Sequence, residues 1–528
     1  MSSGRDVPLP EGFGLVLDAS ARVRDGGRTV EGGHPRRVLR LTSAGAAAVR
    51  ALCAGVGAGD GGTRAGERSA RGGEAAAADG DPEGGAASPL GASPAARALA
   101  RRLVDAGVAH PVPPAARPRD VADVTVVIPV RDRPDELARC LRALGGHPHV
   151  TVVDDGSRDA PAVARVAAAH GARLVRREAS GGPGVARNHA LRAGVATSLV
   201  AFLDSDCVVP PGWLDGLVGH FRDPVVGGVA PRVRGQRDGD ATIERWAAAR
   251  SPLDLGPRPA RVAPGTRVSY VPTAALVVRR SALGDGFDEA LRYGEDVNLV
   301  WRLHDAGWAL RYEPSVVVDH REPARWAAFL GRRFRYGSSA GPLARRHPGR
   351  LAPVVLSPWP TVTAALLVAR RPRAAAAVGL VDGVRTARRL RPLGLSGAAA
   401  AGAVARTTLQ TLDGLARAGT MLAPAPLLAV ATARSRLRAP LLALTLGAPL
   451  AAWGRARAAG RTAGLGPVRW TAASLADDAA YGAGVWAGAV RARAPQALLP
   501  ALGRPAGRTA PASPALGGAP KPPAGGAA

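Results

Sequence analysis

Between residues 121 and 209, apolar β-branched runs alternate with helix-forming segments, and no other stretch restricts the possible folds so strongly. "VTVVIPV", "VTVVDDGS", "ARLVRRE" and "SLVAFLDSD" read as strands. "PDELARCLRAL", "PAVARVAAAHG" and "GGPGVARNHALRAG" read as the helices between them. In the first helix Leu137, Cys140, Leu141 and Leu144 recur at helical spacing behind Pro134. A near-continuous apolar strand is one covered on both faces, as in parallel sheets. The order therefore predicts an α/β domain built on an open, mostly parallel sheet with right-handed crossovers. Ligands in such sheets collect at the carboxyl ends of the strands. Asp155 and the pair Asp204 and Asp206 fall there. The pattern continues to about residue 340 through "VVGGVAPRV", "VPTAALVVRR", the helix "EDVNLVWRLHDAG" and "LRYEPSVVVDH".

The 528 residues leave room for two or three domains. Residues 1–117 read as a small α+β domain. "RVLRLTSAGAAAVRAL" is a strand leading to a helix capped by Thr42 or Ser43, and "AARALARRLVDAGVAHP" is a second helix stopped by Gly107. Residues 55–93, rich in Gly, Ala and charge, are expected to be disordered, and "HPVPPAARPRD" is a linker. The sheet domain spans 121–345. Residues 350–500 read as a helical, partly apolar, membrane-associated region, and 501–528 as a disordered tail. Within that region 351–369 is uncharged and just long enough to span a bilayer. The runs 418–433 and 439–454 suit interfacial or re-entrant helices.

The formal net charge of +28 favours anionic partners, such as the phosphates of a nucleotide or acidic lipid head groups. Nucleic acid is not expected, because the arginines are scattered and only 4% of residues are aromatic to interleave with them. Cys53, Cys140 and Cys207 are far apart and fit neither a disulfide framework nor a zinc site. The N-terminus "MSSGRDVPLPEGF" has no apolar signal core, so the first domain is expected in the cytoplasm.

Four short constellations bear on chemistry. "FLDSD" sets Asp204 and Asp206 one residue apart at a strand end, where two carboxylates can share Mg²⁺ or Mn²⁺ or else serve as a turn aspartate and a cap. "VVDDGS" places Asp155 before Gly156, either as an acceptor for a base N–H or as a common turn. "GGPGVARN" is a glycine loop entering a helix, with Arg187 in its early turns, suited to phosphate or simply a flexible loop. "YGEDVNLVWRL" puts Glu295 and Asp296 at a helix start, as dipole caps or as a general base.

In this order, "VVIPVRDR", "VVDDGS", "GGPGVARN", "FLDSD" and "GEDVNLVWRL" resemble the motifs of family 2 inverting glycosyltransferases of the GT-A fold, a Rossmann-like architecture. The resemblance implies a nucleotide-sugar site at Pro129, Asp155, Gly156, Arg187 and Asp204. It implies a metal held by Asp204 and Asp206, with His320 of "VVVDHREP" as a further ligand. Asp296, beside Glu295, is then the catalytic base. "RRFRYG" is similar to an R-x-x-R-W element, with Tyr336 in place of tryptophan, so Arg332, Arg335 and Tyr336 are assigned to diphosphate or acceptor. Residues 7 to about 350, without the 55–93 insert, also resemble the mycofactocin-system glycosyltransferases of actinobacteria. Their N-terminal region has a strand-helix-helix outline similar to winged-helix modules that recognise peptides; a plain packing domain is the other reading.

These resemblances imply transfer of glucose from a UDP-sugar, UDP-glucose, to a peptide-derived small-molecule acceptor in a β-1,4-glucan-type chain. The cofactor would be Mg²⁺ or Mn²⁺, and the setting the cytoplasmic face of the inner membrane. The alternatives are a polyprenyl-phosphate or cell-wall transferase, a nucleotidyltransferase, and a non-catalytic peptide-binding scaffold.

Overall fold

Short strands separated by glycine and aspartate turns open the chain in the computed structural model, which describes residues 7–57, 88–89, 93–391 and 396–503. In order these are β1 (Gly14–Leu17), β2 (Arg22–Arg24), β3 (Thr29–Gly32), β4 (Arg37–Arg40), α1 (Ser43–Gly57), β5 (Ser88–Pro89), α2 (Pro94–Asp105) and β6 (Ala109–Val112). β1 pairs antiparallel with β5 and β6, and β2–β3–β4 is an antiparallel meander. Thr42 is the cap of α1: its hydroxyl accepts the Gly45 N–H at 3.2 Å. Gly107, at φ +72°, ends the turn after α2. Phe13, Leu15, Val30, Leu103 and Val108 form a core separate from that of the main sheet. Residues 58–87 and 90–92 of the insert expected to be disordered, and 504–528 of the tail, lie outside the described residues.

After α3 (Pro118–Ala122) the predicted alternation appears as β7 (Val124–Val130), α4 (Pro134–Ala143), β8 (Val150–Asp155), α5 (Ala160–Ala169), β9 (Arg173–Arg177), α6 (Pro183–Arg192) and β10 (Leu199–Leu203). β10, β7, β8 and β9 are neighbours in that order and parallel. On β7 the side chains divide: Val124, Val126, Ile128 and Val130 pack with Leu137, Cys140 and Val163, while Val127 packs with Val153, Ala186 and Phe202 on the other face. Both faces are therefore dry, which is why the strand reads as one apolar run. β10 pairs with β7 only as far as Phe202 opposite Val127. Pro129, which has no N–H to donate, lies beyond that point and stands opposite Val153 of β8.

The second half departs from a simple parallel order. β11 (Cys207–Val208), α7 (Asp215–Val218), β12 (Val226–Gln236), α8 (Thr242–Ala249), β13 (Ala260–Val262), β14 (Ala275–Arg279), α9 (Glu295–Asp305) and β15 (Ala309–Arg321) extend the sheet. The path is β11-β15-β12-β14-β10-β7-β8-β9. β14 runs antiparallel to both β10 and β12, whereas β12 and β15 are parallel. The sheet is mixed, with a wholly parallel half carrying the first motifs.

The C-terminal elements are α10 (Trp326–Ser338), α11 (Ala340–Arg346), β16 (Val355–Leu356), α12 (Pro358–Val368), α13 (Pro372–Leu390), α14 (Gly397–Leu422), α15 (Pro424–Ala433), α16 (Ser435–Ala458), α17 (Pro467–Arg491) and β17 (Ala501–Leu502). The expected span at 351–369 is corrected here. A strand occupies its start and Pro358 begins a helix of 11 residues, about half the length a ~30 Å bilayer core requires. The run 418–433 divides between α14 and α15, which meet at a 103° bend. The run 439–454 lies inside α16, whose 24 residues are long and apolar enough to cross a membrane by length and composition. The start of the tail is ordered, since β17 pairs in parallel with β16.

Two contacts tie the outer units to the sheet. α17 lies directly against α10 and α11 through glycines: a Cβ on Gly484 would stand 2.0 Å from the Phe334 carbonyl, and one on Gly341 2.2 Å from that of Gly488. Only glycine permits such backbone approach. On the other side Arg101 of α2 forks onto both oxygens of Asp223, at 2.8 and 2.7 Å, with each side chain 1% exposed. Removing one partner leaves the other charge buried alone. Arg101→Ala should therefore lower stability by about 3–5 kcal/mol in urea unfolding followed by tryptophan fluorescence, while the double variant Arg101→Met with Asp223→Leu should recover most of it.

Candidate active site

The apolar strand β10 delivers Asp204 to the open end of the sheet, and α6 passes behind it. Arg187 on α6 is buried, with its side chain 2% exposed. It donates to Asp204 Oδ1 at 2.6 Å and to Glu295 Oε1 at 3.1 Å, and its guanidinium lies 5.4 Å from the centre of the Phe287 ring. One arginine thus joins α6, the end of β10 and the start of α9. Arg187, the residue expected as a diphosphate clamp, is held between two of the protein's own carboxylates.

The glycine loop before α6 is likewise bonded to a carboxylate of the protein. The N–H groups of Gly181 and Gly182 donate to Asp155 at 3.0 and 2.9 Å, joined by the Ser180 hydroxyl at 2.8 Å and Arg177 at 2.9 Å. A helix N-terminus favours an anion, and a side chain of β8 supplies one here. Burial would raise the Asp155 carboxyl, but these donors hold it below the usual range. Gly156 turns the chain at φ +72°, where a Cβ would stand 2.9 Å from Ser180 N. Asp155 and Gly156 therefore brace the loop that borders the base position expected for them.

Asp204 and Asp206 are bonded to different arginines, yet each charge acts on the other and on His320. β10 ends at Leu203, and a turn closed by Cys207 N–H onto the Asp204 carbonyl at 3.0 Å separates the two acids. Asp204 turns to Arg187. Asp206 meets Arg133 at 2.8 Å through Oδ2 and faces His320 Nε2 at 3.5 Å through Oδ1. Among the described residues no group of three or more His, Cys, Asp or Glu is arranged to hold a metal. The residues that would hold a divalent cation are Asp206 and His320, with Asp204 on the same cavity wall: carboxylates suit Mg²⁺ or Mn²⁺, and an added imidazole favours Mn²⁺. His320 Nδ1 and Glu322 Oε1 are buried 3.5 Å apart without a closer partner. Although burial opposes its charge, Asp206 and Glu322 hold the imidazole above its ordinary value.

Gly294, left-handed at φ +79°, starts α9. Glu295 turns inward to Arg187. Asp296 accepts the N–H of Val297, at 2.8 Å, and lines a cavity of about 340 Å³ shared with Arg187, Asp204 and His320. Burial raises the Asp296 carboxyl, and Asp204 adds to this. Burial and the Asp296 charge, opposed by Arg187, push Glu295 up to about 7. Asp204 is raised by desolvation and by Asp206 against the pull of Arg187. Of the three residues expected from "RRFRYG", Arg332 is bonded to the buried Glu322. Arg335 and Tyr336 line the cavity, and Arg335 has no ion pair among the described residues.

Sequence reasoning did not identify Arg133, Glu322, Tyr270, Arg333 or Tyr481 as part of this region. Arg133 belongs to "VVIPVRDR", a motif already singled out, and was within reach. Tyr481 lies on α17, and no local pattern ties that helix to the sheet.

A family model described as "Glycosyl transferase family 2" matches residues 125–287. The chain is 37% identical over 508 residues to the pre-mycofactocin glycosyltransferase of Mycobacterium tuberculosis (strains CDC 1551 and H37Rv), covering 94% of this chain and 98% of that one. An N-acetylglucosaminyltransferase of Rhizobium meliloti is 28% identical over 45% of this chain and 60% of its own length. Among solved structures, GalNAc-T7 with UDP, GalNAc and Mn²⁺ aligns with 38% of this chain and 44% of its own at 17% identity and a TM-score of 0.30. The long match to the mycobacterial protein decides the assignment: the chain belongs to the family 2 glycosyltransferases of GT-A fold, and among them to those of the mycofactocin system.

Proposed function

We propose that this glycosyltransferase moves a glucosyl unit from UDP-glucose to a peptide-derived acceptor, mycofactocin or its precursor, with inversion at the anomeric carbon, and extends a β-1,4-linked chain. The observation that carries the reading is Asp296. Its hydrogen bonds are to the backbone of its own helix start, and it lines the cavity. A carboxylate so placed, and raised by burial above the ordinary aspartate value, suits a general base. It takes the proton of the acceptor hydroxyl as that oxygen bonds to the anomeric carbon, and the departing UDP keeps the electron pair. Arg187 holds Asp204 and Glu295 still beside it. Arg335, with no ion pair of its own, supplies positive charge to the donor's phosphates. A divalent cation on Asp206 and His320, when bound, would neutralise charge on the diphosphate.

We place the enzyme at the cytoplasmic face of the inner membrane. Leu442, Leu446 and Leu450 recur every fourth residue on α16, and all are exposed. With arginines at the end of that helix, Arg455 and Arg457, such a stripe supports shallow attachment to an anionic surface. A second reading, a lipid-linked acceptor, is favoured by an apolar groove of about 620 Å³ between α12, α14 and α16, lined by Leu367, Leu409 and Leu444.

Asp296→Asn should reduce sugar transfer by about 10² to 10⁴-fold while leaving UDP-glucose affinity unchanged by calorimetry; wild-type turnover would remove Asp296 from the mechanism. Chelation with EDTA should abolish transfer and Mn²⁺ restore it, and Asp206→Asn should weaken Mn²⁺ binding measured by electron paramagnetic resonance. Because burial raises the Asp296 carboxyl, the base is protonated and idle at low pH. The kcat/KM should therefore rise with pH through a midpoint above that of an ordinary aspartate, and an acid limb at the ordinary value would contradict the assignment.

A further inference from the structure

The chain has only five tyrosines. Four of them, Tyr270, Tyr293, Tyr336 and Tyr481, line the cavity shared with Asp296, and Trp301 joins them. The fifth, Tyr312, is buried in the core with its hydroxyl on the Gly256 carbonyl. In a protein with 4% aromatic residues, four of five tyrosines in one cleft are a marked concentration. The four come from separate places: the segment before β14, the turn before α9, the end of α10, and α17 at the far end of the chain.

Two of them show what the cluster does. Tyr270 is 38% exposed and lines the same cavity as Asp296. Its charged and titratable neighbours are Asp296, Tyr481, Tyr336 and Arg333. Tyr481 is held by a neighbour on the same cavity wall. The Arg333 guanidinium lies 4.9 Å from its ring centre and is itself bonded to Asp477 of α17. One turn away Gly337 packs so closely that a Cβ there would stand 2.1 Å from the Tyr481 carbonyl. The ring is thus held in place before any ligand arrives, which lowers the ordering cost of binding.

We infer that Tyr270 and Tyr481 form an acceptor subsite beside Asp296, stacking on a flat uncharged ring that carries the hydroxyl to be glycosylated. A ring of this kind presents a face of polarised C–H or π character, which tyrosine faces bind while their hydroxyls remain wet. A pyranose of a growing sugar chain and a phenolic side chain of a peptide-derived core both offer it. This deepens the proposed function, since it takes Asp296 as the base.

The test is binding to the full chain, read by ligand-observed saturation-transfer NMR with phenyl β-D-glucopyranoside, methyl β-D-glucopyranoside and 4-ethylphenol as probes. The wild-type protein should bind the phenyl glucoside, and Tyr481→Ala and Tyr270→Ala should each weaken it about three- to tenfold. Tyr481→Phe should keep the affinity. Binding of the methyl glucoside alone identifies a sugar ring as the ligand, and of 4-ethylphenol alone an aromatic one. No binding by the wild type, or equal binding by both alanine variants, overturns the subsite. UDP-glucose affinity, measured on the same samples, should be unchanged in every variant; its absence in the wild type would count against the donor assignment and not against the subsite.

Discussion

A single guanidinium shared by two carboxylates organises the catalytic end of this protein. Arg187 reaches Asp204 and Glu295 from a helix that contributes to neither. Withdrawing three charges from water is costly, and such a group is stable only when each charge is met by another at close range. The distances of 2.6 and 3.1 Å meet that condition, and the Phe287 face covers the remaining side. The consequence is positional. β10 and α9 are far apart in sequence and belong to different halves of the sheet, yet Arg187 fixes their ends relative to one another. Asp296 follows Glu295 directly, so whatever holds Glu295 also aims Asp296.

The same cluster sets the electrostatics. Asp204, Glu295 and Asp296 lie around one arginine, so full ionisation would leave an excess of negative charge in a poorly hydrated site. All three are accordingly raised. A raised carboxyl is a better match to the proton of a sugar hydroxyl near neutral pH than an ordinary aspartate. Asp155 shows the opposite case. Two backbone N–H groups, a hydroxyl and an arginine donate to it, and it is held low. Both residues were candidates on sequence grounds. What separates them is the number of donors each receives, which distant segments decide.

Much of the parallel half was legible because its physics is local. β7, β8, β9 and β10 are written as apolar runs between helices of regular spacing, and the acids at their ends mark the cleft. Strand direction in the other half was not legible: the run "ALVVR" of β14 reports burial on both faces and says nothing about pairing antiparallel to β10 and β12. The motif residues were found, but their bonding was not. Arg187 and the Gly181–Gly182 loop carry donors suited to phosphate, and the sequence cannot reveal that Asp204, Glu295 and Asp155 reach them first. The uncharged stretch 351–369 misled for a similar reason. Apolar content fits a span, but Pro358 resets the backbone and leaves an 11-residue helix.

The C-terminal helices show why a family 2 sheet of this composition recruits material from outside itself. A sugar-handling cleft needs aromatic faces, and this chain has few to place. Within the matched family region, 125–287, only Tyr270 is a tyrosine that reaches the cavity. Tyr481 arrives from α17, which Gly337, Gly341, Gly484 and Gly488 bring into backbone contact with α10 and α11. Substituting any of these glycines would push α17 outward and withdraw Tyr481 with it, while leaving Asp204, Asp206 and Asp296 in place. The region beyond residue 350 is then part of the catalytic unit through α17, whatever its other helices do at a membrane. The seam of glycines and the ring behind the base are two ends of one constraint: the backbones must touch for the aromatic face to reach the acceptor.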